Sequence, residues 1–285
     1  MEHYYFKYGT SNELFEEHLR KNNSSEIELE IFFENWRAED YPNHYLLIND
    51  SRNRKQINYF MESESKNTCF WIFHQDDIYI YKPIEKAKSP NELPARENYK
   101  IIPKIRKSKL LKTLKKEDCP EILSTLSANQ AYNRKTIEKF TGNIKQIADS
   151  ILLGEKLKIK TEDRLNYLSP VQFETLIFLI FHHTDIYVST HRGGTKKRID
   201  LQLRVTEQNN LGLNDHQYYN IQIKMYDYLK NNPNFSFEEN NYLIHTGKTD
   251  QNKNILGKDW IEDRIAKIDK VNRWLDFTLE HFEII

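Results

Sequence analysis

Polar and apolar positions change period along the chain, and each change marks an element. In "RIDLQLRV" (198–205), Ile199, Leu201, Leu203 and Val205 alternate with Asp200, Gln202 and Arg204, the period of a half-buried strand. "YNIQIKMY" (219–226) repeats the pattern, with Ile221, Ile223 and Met225 on one face and Gln222 and Lys224 on the other. "DIYVSTH" (185–191) and "NNYLIHTG" (240–247) read as two more strands. Ahead of them "LSPVQFETLIFLIFHH" (168–183) predicts a helix with Ser169 as N-cap and Pro170 at its first position. "DWIEDRIAKIDKVNRWLDFTLEHF" (259–282) predicts one long closing helix.

The first half is less regular. Residues 11–21 look helical, with Ser11 or Asn12 as N-cap, and "EIELEIFFENW" (26–36) is amphipathic. "TCFWIFHQDDIYIYKPI" (68–84) predicts a hairpin about "HQDD". Pro83, Pro90 and Pro94 place 83–98 in a surface loop. Residues 129–155 predict one helix or two, ending near Gly154. The polar stretch 156–167 is the expected boundary between an N-terminal α+β domain (1–158) and a mixed α/β domain (159–285).

Composition narrows the function classes. With 38% hydrophobic and 13% aromatic residues among 285, the chain can bury a core. Forty-two basic side chains balance 42 acidic ones, so any nucleic-acid binding must come from local patches. Cys69 and Cys119 are too few for a disulfide framework and badly spaced for zinc. The longest apolar run, "LIFLIF" (176–181), is far short of the roughly 20 residues that cross a bilayer. With no signal-like start, the expectation is a cytoplasmic protein without a membrane partner.

Candidate chemistry collects in the second half. If the strands carrying Asp200 and Gln222-x-Lys224 pair, an aspartate, a glutamine and a lysine converge on one sheet face. Glu174 is the only charge between Phe173 and Phe181, and burying a lone carboxylate costs several kcal/mol, so it needs a partner, a metal or water. It reads either as a member of that site or as a carboxylate reaching solvent, His182 or Arg164. Mg²⁺ takes oxygen ligands of this kind, and a lysine suits chemistry at a phosphodiester.

Glu174 in "LSPVQFETL", the Gly-Gly before Asp200 in "RGGTKKRID" and Gln222-x-Lys224 in "YNIQIK" resemble the core of the PD-(D/E)xK nucleases. They are most similar to the Mrr-like restriction endonuclease branch, whose members often carry Gln-x-Lys. The resemblance spans roughly 168–250 and implies a restriction-endonuclease-like core: a central mixed sheet flanked by helices. It further implies Mg²⁺-dependent cleavage of double-stranded DNA, with Mn²⁺ as a substitute, and a separate recognition domain in 1–158. By this resemblance Glu174, Asp200, Gln222 and Lys224 are catalytic, and Asp200, Glu174 and the main chain of Ile223 hold the metal. The resemblance further implies a homodimer on DNA to cut both strands and restriction of foreign or modified DNA (antiviral defence) as the biological role, and it leaves open a methyltransferase or helicase partner. Lys197 and Arg198 stand where the family often has glycine. The competing readings are a non-catalytic nucleic-acid-binding protein on the same fold, or a nuclease for RNA or DNA junctions.

Three further features stay open at this level. Residues 103–116, "PKIRKSKLLKTLKK", hold seven cations and no acid, which is either a solvated helix face or a DNA-backbone contact through Lys104, Arg106, Lys107, Lys109 and Lys112. "HRGGTKKR" (191–198) is a plain hairpin turn or a phosphate-contacting loop using Arg192, Lys196, Lys197 and Arg198. Trp71, Phe73, Tyr79 and Tyr81 are core residues or, where exposed, platforms for stacking on a base.

Overall fold

The computed structural model describes residues 1–8, 12–21, 25–31, 51–62, 67–87, 104–128, 132, 135–184, 186–191, 199–205, 217–225, 241–250 and 254–285. The chain divides into two compact units, Met1–Glu155 and Lys156–Ile285, each mixing helix and sheet.

The first unit is built on a six-stranded sheet ordered β2-β5-β4-β3-β1-β6. Its strands are β1 (Glu2–Phe6), β2 (Glu26–Ile31), β3 (Thr68–His74), β4 (Asp77–Pro83), β5 (Lys104–Lys115) and β6 (Ile137–Lys139). β3 and β4 form the expected hairpin, turning through Gln75 at φ 48°. Two helices, α1 (Glu13–Lys21) and α2 (Ser51–Glu62), contribute Phe15 and Phe60 to an aromatic core with Tyr4, Phe6, Phe70 and Tyr81. Asn12 does not cap α1 in the usual way: its side chain accepts from the Tyr8 amide and donates to the Phe73 carbonyl. On the other face Trp71 packs against Phe140, just before α3 (Gly142–Leu153).

Three elements differ from expectation here. The "EIELEI" segment is strand β2, with Glu26 and Glu28 exposed on one face and Ile27, Leu29 and Ile31 buried on the other. The basic run is strand β5, not a helix. The segment 129–155 gives an edge strand, β6, before a single helix, which ends on Gly154 at φ 74°. Of the expected 83–98 loop, 84–87 form no helix or strand and 88–98 lie outside the described residues.

The second unit carries a mixed five-stranded sheet ordered β12-β11-β10-β9-β8. These are β8 (Tyr187–His191), β9 (Leu201–Arg204), β10 (Tyr218–Lys224), β11 (Asn241–His245) and β12 (Ile255–Leu256). The first three strands pair antiparallel, whereas β11 and β12 run parallel to β10. Helix α4 (Pro170–His182) packs on β8 and β10 and begins as expected, with a reciprocal capping box between Ser169 and Gln172. β7 (Leu157–Ile159) and β13 (Phe282–Ile284) form a separate parallel pair.

The closing segment is two helices, α5 (Lys258–Lys267) and α6 (Asp269–Thr278), broken at Ile268. Buried Ile261 and Ile265 are four apart, as are Val271 and Leu275, but six residues separate the two pairs. At about 100° per residue, one straight helix would turn the second pair roughly 80° away from the direction of the first. The break brings both apolar stripes onto the core. No described helix is long and apolar enough to cross a membrane.

Candidate active site

Alternation along β9 and β10 puts their apolar side chains (Leu201, Leu203, Ile221, Ile223) into the core and their polar ones on the opposite face. Asp200 stands one residue ahead of β9, and its amide donates to the Ile221 carbonyl at 2.8 Å. One step beyond the Leu201–Ile221 pair, it lies opposite Gln222. Its Oδ2 accepts from the Ile223 amide at 2.6 Å and from Lys224 Nζ at 3.3 Å. Lys224 Nζ also donates to the Ile223 carbonyl at 2.8 Å. The carboxylate, the ammonium and the peptide groups of Ile223 therefore meet at one point, partly open to solvent. A pair this exposed contributes on the order of 1 kcal/mol or less to stability, so stability alone does not account for it.

Gln222 is 7% exposed on the same face. The parallel β10–β11 register sets Leu243 beside Gln222 and His245 beside Lys224. His245 is buried, and its Nε2 lies 3.2 Å from the Lys248 carbonyl. Gly257, before α5, packs so closely that an added Cβ would fall 2.3 Å from the Gly247 carbonyl oxygen. The chain leaving β11 and the start of α5 are thus locked together close to Lys224.

Glu174 is partly buried on α4, beside the apolar stripe of Phe173, Leu176, Ile177, Ile180 and Phe181. Arg164, one of its alternative partners, instead binds Glu262 at 2.6 Å. His182 stacks on Phe178. The described residues contain no group of three or more His, Cys, Asp or Glu arranged to hold a metal. Among the described residues both side-chain bonds of Asp200 fall on Oδ2, which leaves Oδ1 to a further partner. That oxygen and the Ile223 carbonyl are hard donors, which suit a Mg²⁺ ion that keeps most of its water.

One neighbouring feature was beyond the reach of sequence reasoning. Gln202 Nε2 donates to Asn220 Oδ1 at 3.1 Å, and Asn220 Nδ2 donates to Asn241 Oδ1 at 2.9 Å. A row of carboxamides thus crosses three strands on the face that carries Asp200 and Lys224. Alternation alone puts Gln202 on this face, but Asn220 and Asn241 meet only through the strand register.

In the first unit the structure corrects several expected contacts. Arg106 is 1% exposed; its guanidinium donates to the carbonyls of Phe60 and Glu85 and lies over the Phe70 ring, so it cannot reach a phosphate. β2 runs antiparallel beside β5 and sets Glu26 next to Lys109 and Glu28 next to Lys107 in register, and Glu26 binds Lys107 at 3.1 Å. Lys112 donates to the Ile151 carbonyl, and Lys115 binds Asp77 at 2.7 Å. Two cations of the run, Lys107 and Lys115, are thus supplied with acids from neighbouring strands, while the side chain of Lys104 lies outside the described residues. Lys109 is exposed. Trp71, Phe73 and Tyr81 are buried in the core, which removes them as stacking platforms, and partly buried Tyr79 packs on Phe15. Arg192, Lys196, Lys197 and Arg198 lie outside the described residues.

Burial pushes the Cys69 and Cys119 thiols up to about 11, which keeps them protonated and unreactive near neutrality. No protein-family model, no curated protein and no solved structure matches this chain, so the reading of the site rests on its own residues.

Proposed function

We propose that residues 156–285 form the catalytic unit of a Mg²⁺-dependent DNA endonuclease, similar to the Mrr-like branch of the PD-(D/E)xK nucleases. The observation that carries this reading is the convergence of Asp200, Lys224 and the Ile223 peptide groups, with Lys224 Nζ 3.3 Å from the carboxylate and 2.8 Å from the carbonyl. A mixed sheet preceded by a capped helix supports it at the level of the fold.

Asp200, the Ile223 carbonyl and Glu174 would hold the metal, which when bound supplies Lewis acidity toward the scissile phosphate; Mn²⁺ would substitute. Lys224 has three N–H donors on a flexible stem. It orients the attacking water and offsets negative charge that builds on the phosphate oxygens. Gln222, mostly buried, orients water around the site through its amide. Each site cuts one strand, so cutting a duplex takes two copies. In this reading the protein restricts foreign or modified DNA. The first unit keeps a part in target recognition through exposed residues such as Lys109, not through Arg106 or the buried aromatics.

The test is cleavage of methylated and unmodified plasmid and phage DNA by wild type and Asp200→Ala, with Mg²⁺, Mn²⁺ or EDTA. Metal-dependent cutting lost in the variant is the expected result. DNA binding without cutting under every condition overturns it in favour of a non-catalytic nucleic-acid-binding protein. One observation favours that second reading: a neutral amide, Gln222, stands where a second carboxylate would add charge for a metal. Competition by RNA or by branched DNA separates the remaining substrates.

A further inference from the structure

The polar face of the β9–β10–β11 sheet is organised in rows. Lys224 lies beside His245, Asp200 and Gln222 beside Leu243, Gln202 and Asn220 beside Asn241, and Arg204 beside Tyr218. The third row is the hydrogen-bonded carboxamide chain, and all three of its side chains are partly exposed. The fourth is an exposed guanidinium 5.7 Å from the centre of an aromatic ring that is itself 51% exposed. We infer that Gln202, Asn220 and Asn241 read base edges of the DNA strand held at Asp200 and Lys224, with Arg204 and Tyr218 flanking the bound strand. This rests on the proposed nuclease reading and names the groups that give the site its sequence preference.

The chemistry of the row points to a nucleobase. A carboxamide has two donor hydrogens and an acceptor oxygen with two lone pairs. Among the described residues Asn220 spends one lone pair on Gln202 and one hydrogen on Asn241, keeping a donor and an acceptor on the same group. A side-by-side donor and acceptor on Asn or Gln is the complement of the adenine edge. Neighbouring amides fix the orientation in advance, so little rotamer entropy is lost on binding. Gln202 is two strand residues from Asp200, about 7 Å, so one nucleotide with its phosphate at Asp200 can place its base against the row. The exposed Arg204–Tyr218 pair offers a cation for the next phosphate and a ring face for stacking.

The experiment is selection from a random-sequence duplex library by the full-length protein, reading bound sequences in EDTA and cut sites in Mg²⁺. The proteins are wild type, Asn220→Ala and Asn241→Ala, each checked for a native circular dichroism spectrum. Wild type should enrich adenine next to the cut, and each variant should lose roughly five- to a hundredfold of that preference. A role confined to bracing the sheet would weaken all sequences equally and leave the base profile unchanged; that result, or a wild type with no base preference, overturns the inference. Adenine enrichment in the bound pool that both variants lose, with no cutting by wild type, keeps the recognition row and removes the nuclease reading instead.

Discussion

Lys224 is held by two oxygens of different kinds, a carboxylate at 3.3 Å and a peptide carbonyl at 2.8 Å. Removing it leaves the carboxylate with the Ile223 amide at 2.6 Å, so the local backbone survives the loss. Lys224→Ala should therefore lower the cleavage rate by about 10²–10³-fold, the usual cost of one preorganised electrostatic donor, while DNA affinity in EDTA changes little. Single-turnover cleavage beside a binding titration separates the two; wild-type cutting by the variant removes the lysine from the chemistry. A second residue, His3, sets an acid limit on the first unit. Trp71 Nε1 donates to its Nδ1 at 3.1 Å, so the proton sits on Nε2, which donates to Asp149 at 2.9 Å. Burial lowers the affinity of His3 for a second proton, and this outweighs the opposing pull of Asp149. The unfolded chain then binds that proton more readily than the folded one, so stability is complete above about pH 6.5 and falls as the pH drops below it. Urea midpoints should be flat from pH 8 to 7 and decline toward pH 5. His3→Gln, which keeps an acceptor for Trp71 and a donor for Asp149, should flatten that decline.

At the scale of elements, two glycines make opposite demands. Gly154 ends α3 at φ 74° with open space around it, so Gly154→Ala meets only the left-handed backbone cost of about 1 kcal/mol. Gly257→Ala must push backbone atoms apart, because the new Cβ would lie 2.3 Å from one atom and 2.4 Å from another. It should destabilise more than Gly154→Ala and also slow cleavage, since the displaced segment follows His245. Denaturation midpoints and cleavage rates of both variants check the order. The same scale shows where sequence patterns run out. Ser169 and Pro170 announced their helix because capping is local, and "RIDLQLRV" announced its strand because its period is unbroken. The basic run hid its strand because an irregularity opposite Ile80 and Tyr81 shifts the register between Leu110 and Lys112. Arg106, Ser108 and Leu110 share a face, but beyond the shift it is Thr113 and Lys115 that continue it, and alternation is lost. Asp200, Gln222 and Lys224 could be assembled from alternation plus one antiparallel pairing. Asn241 could not, because its parallel register with Asn220 is set across an intervening segment of 20 residues.

For the molecule as a whole, 42 positive and 42 negative charges leave no net field to draw DNA in. Affinity must come from a few placed contacts, and cations already paired with acids add little to it. Lys107→Ala and Lys115→Ala, which remove the partners of Glu26 and Asp77, should leave the salt dependence of DNA binding unchanged. A fall in slope of about 0.9 for each lost lysine would return strand β5 to the DNA-contacting surface. Binding measured across a salt series decides. The parallel pairing of β7 with β13 has a different consequence, a mechanical one. Phe282 stands beside Leu157 and Ile284 beside Ile159, so the strand that opens the second unit and the strand that closes it run in the same direction. Tension between Lys156 and Ile285 draws these strands past each other lengthwise. Their hydrogen bonds then share the load and fail together, where a hairpin pulled at its open end would unzip one bond at a time.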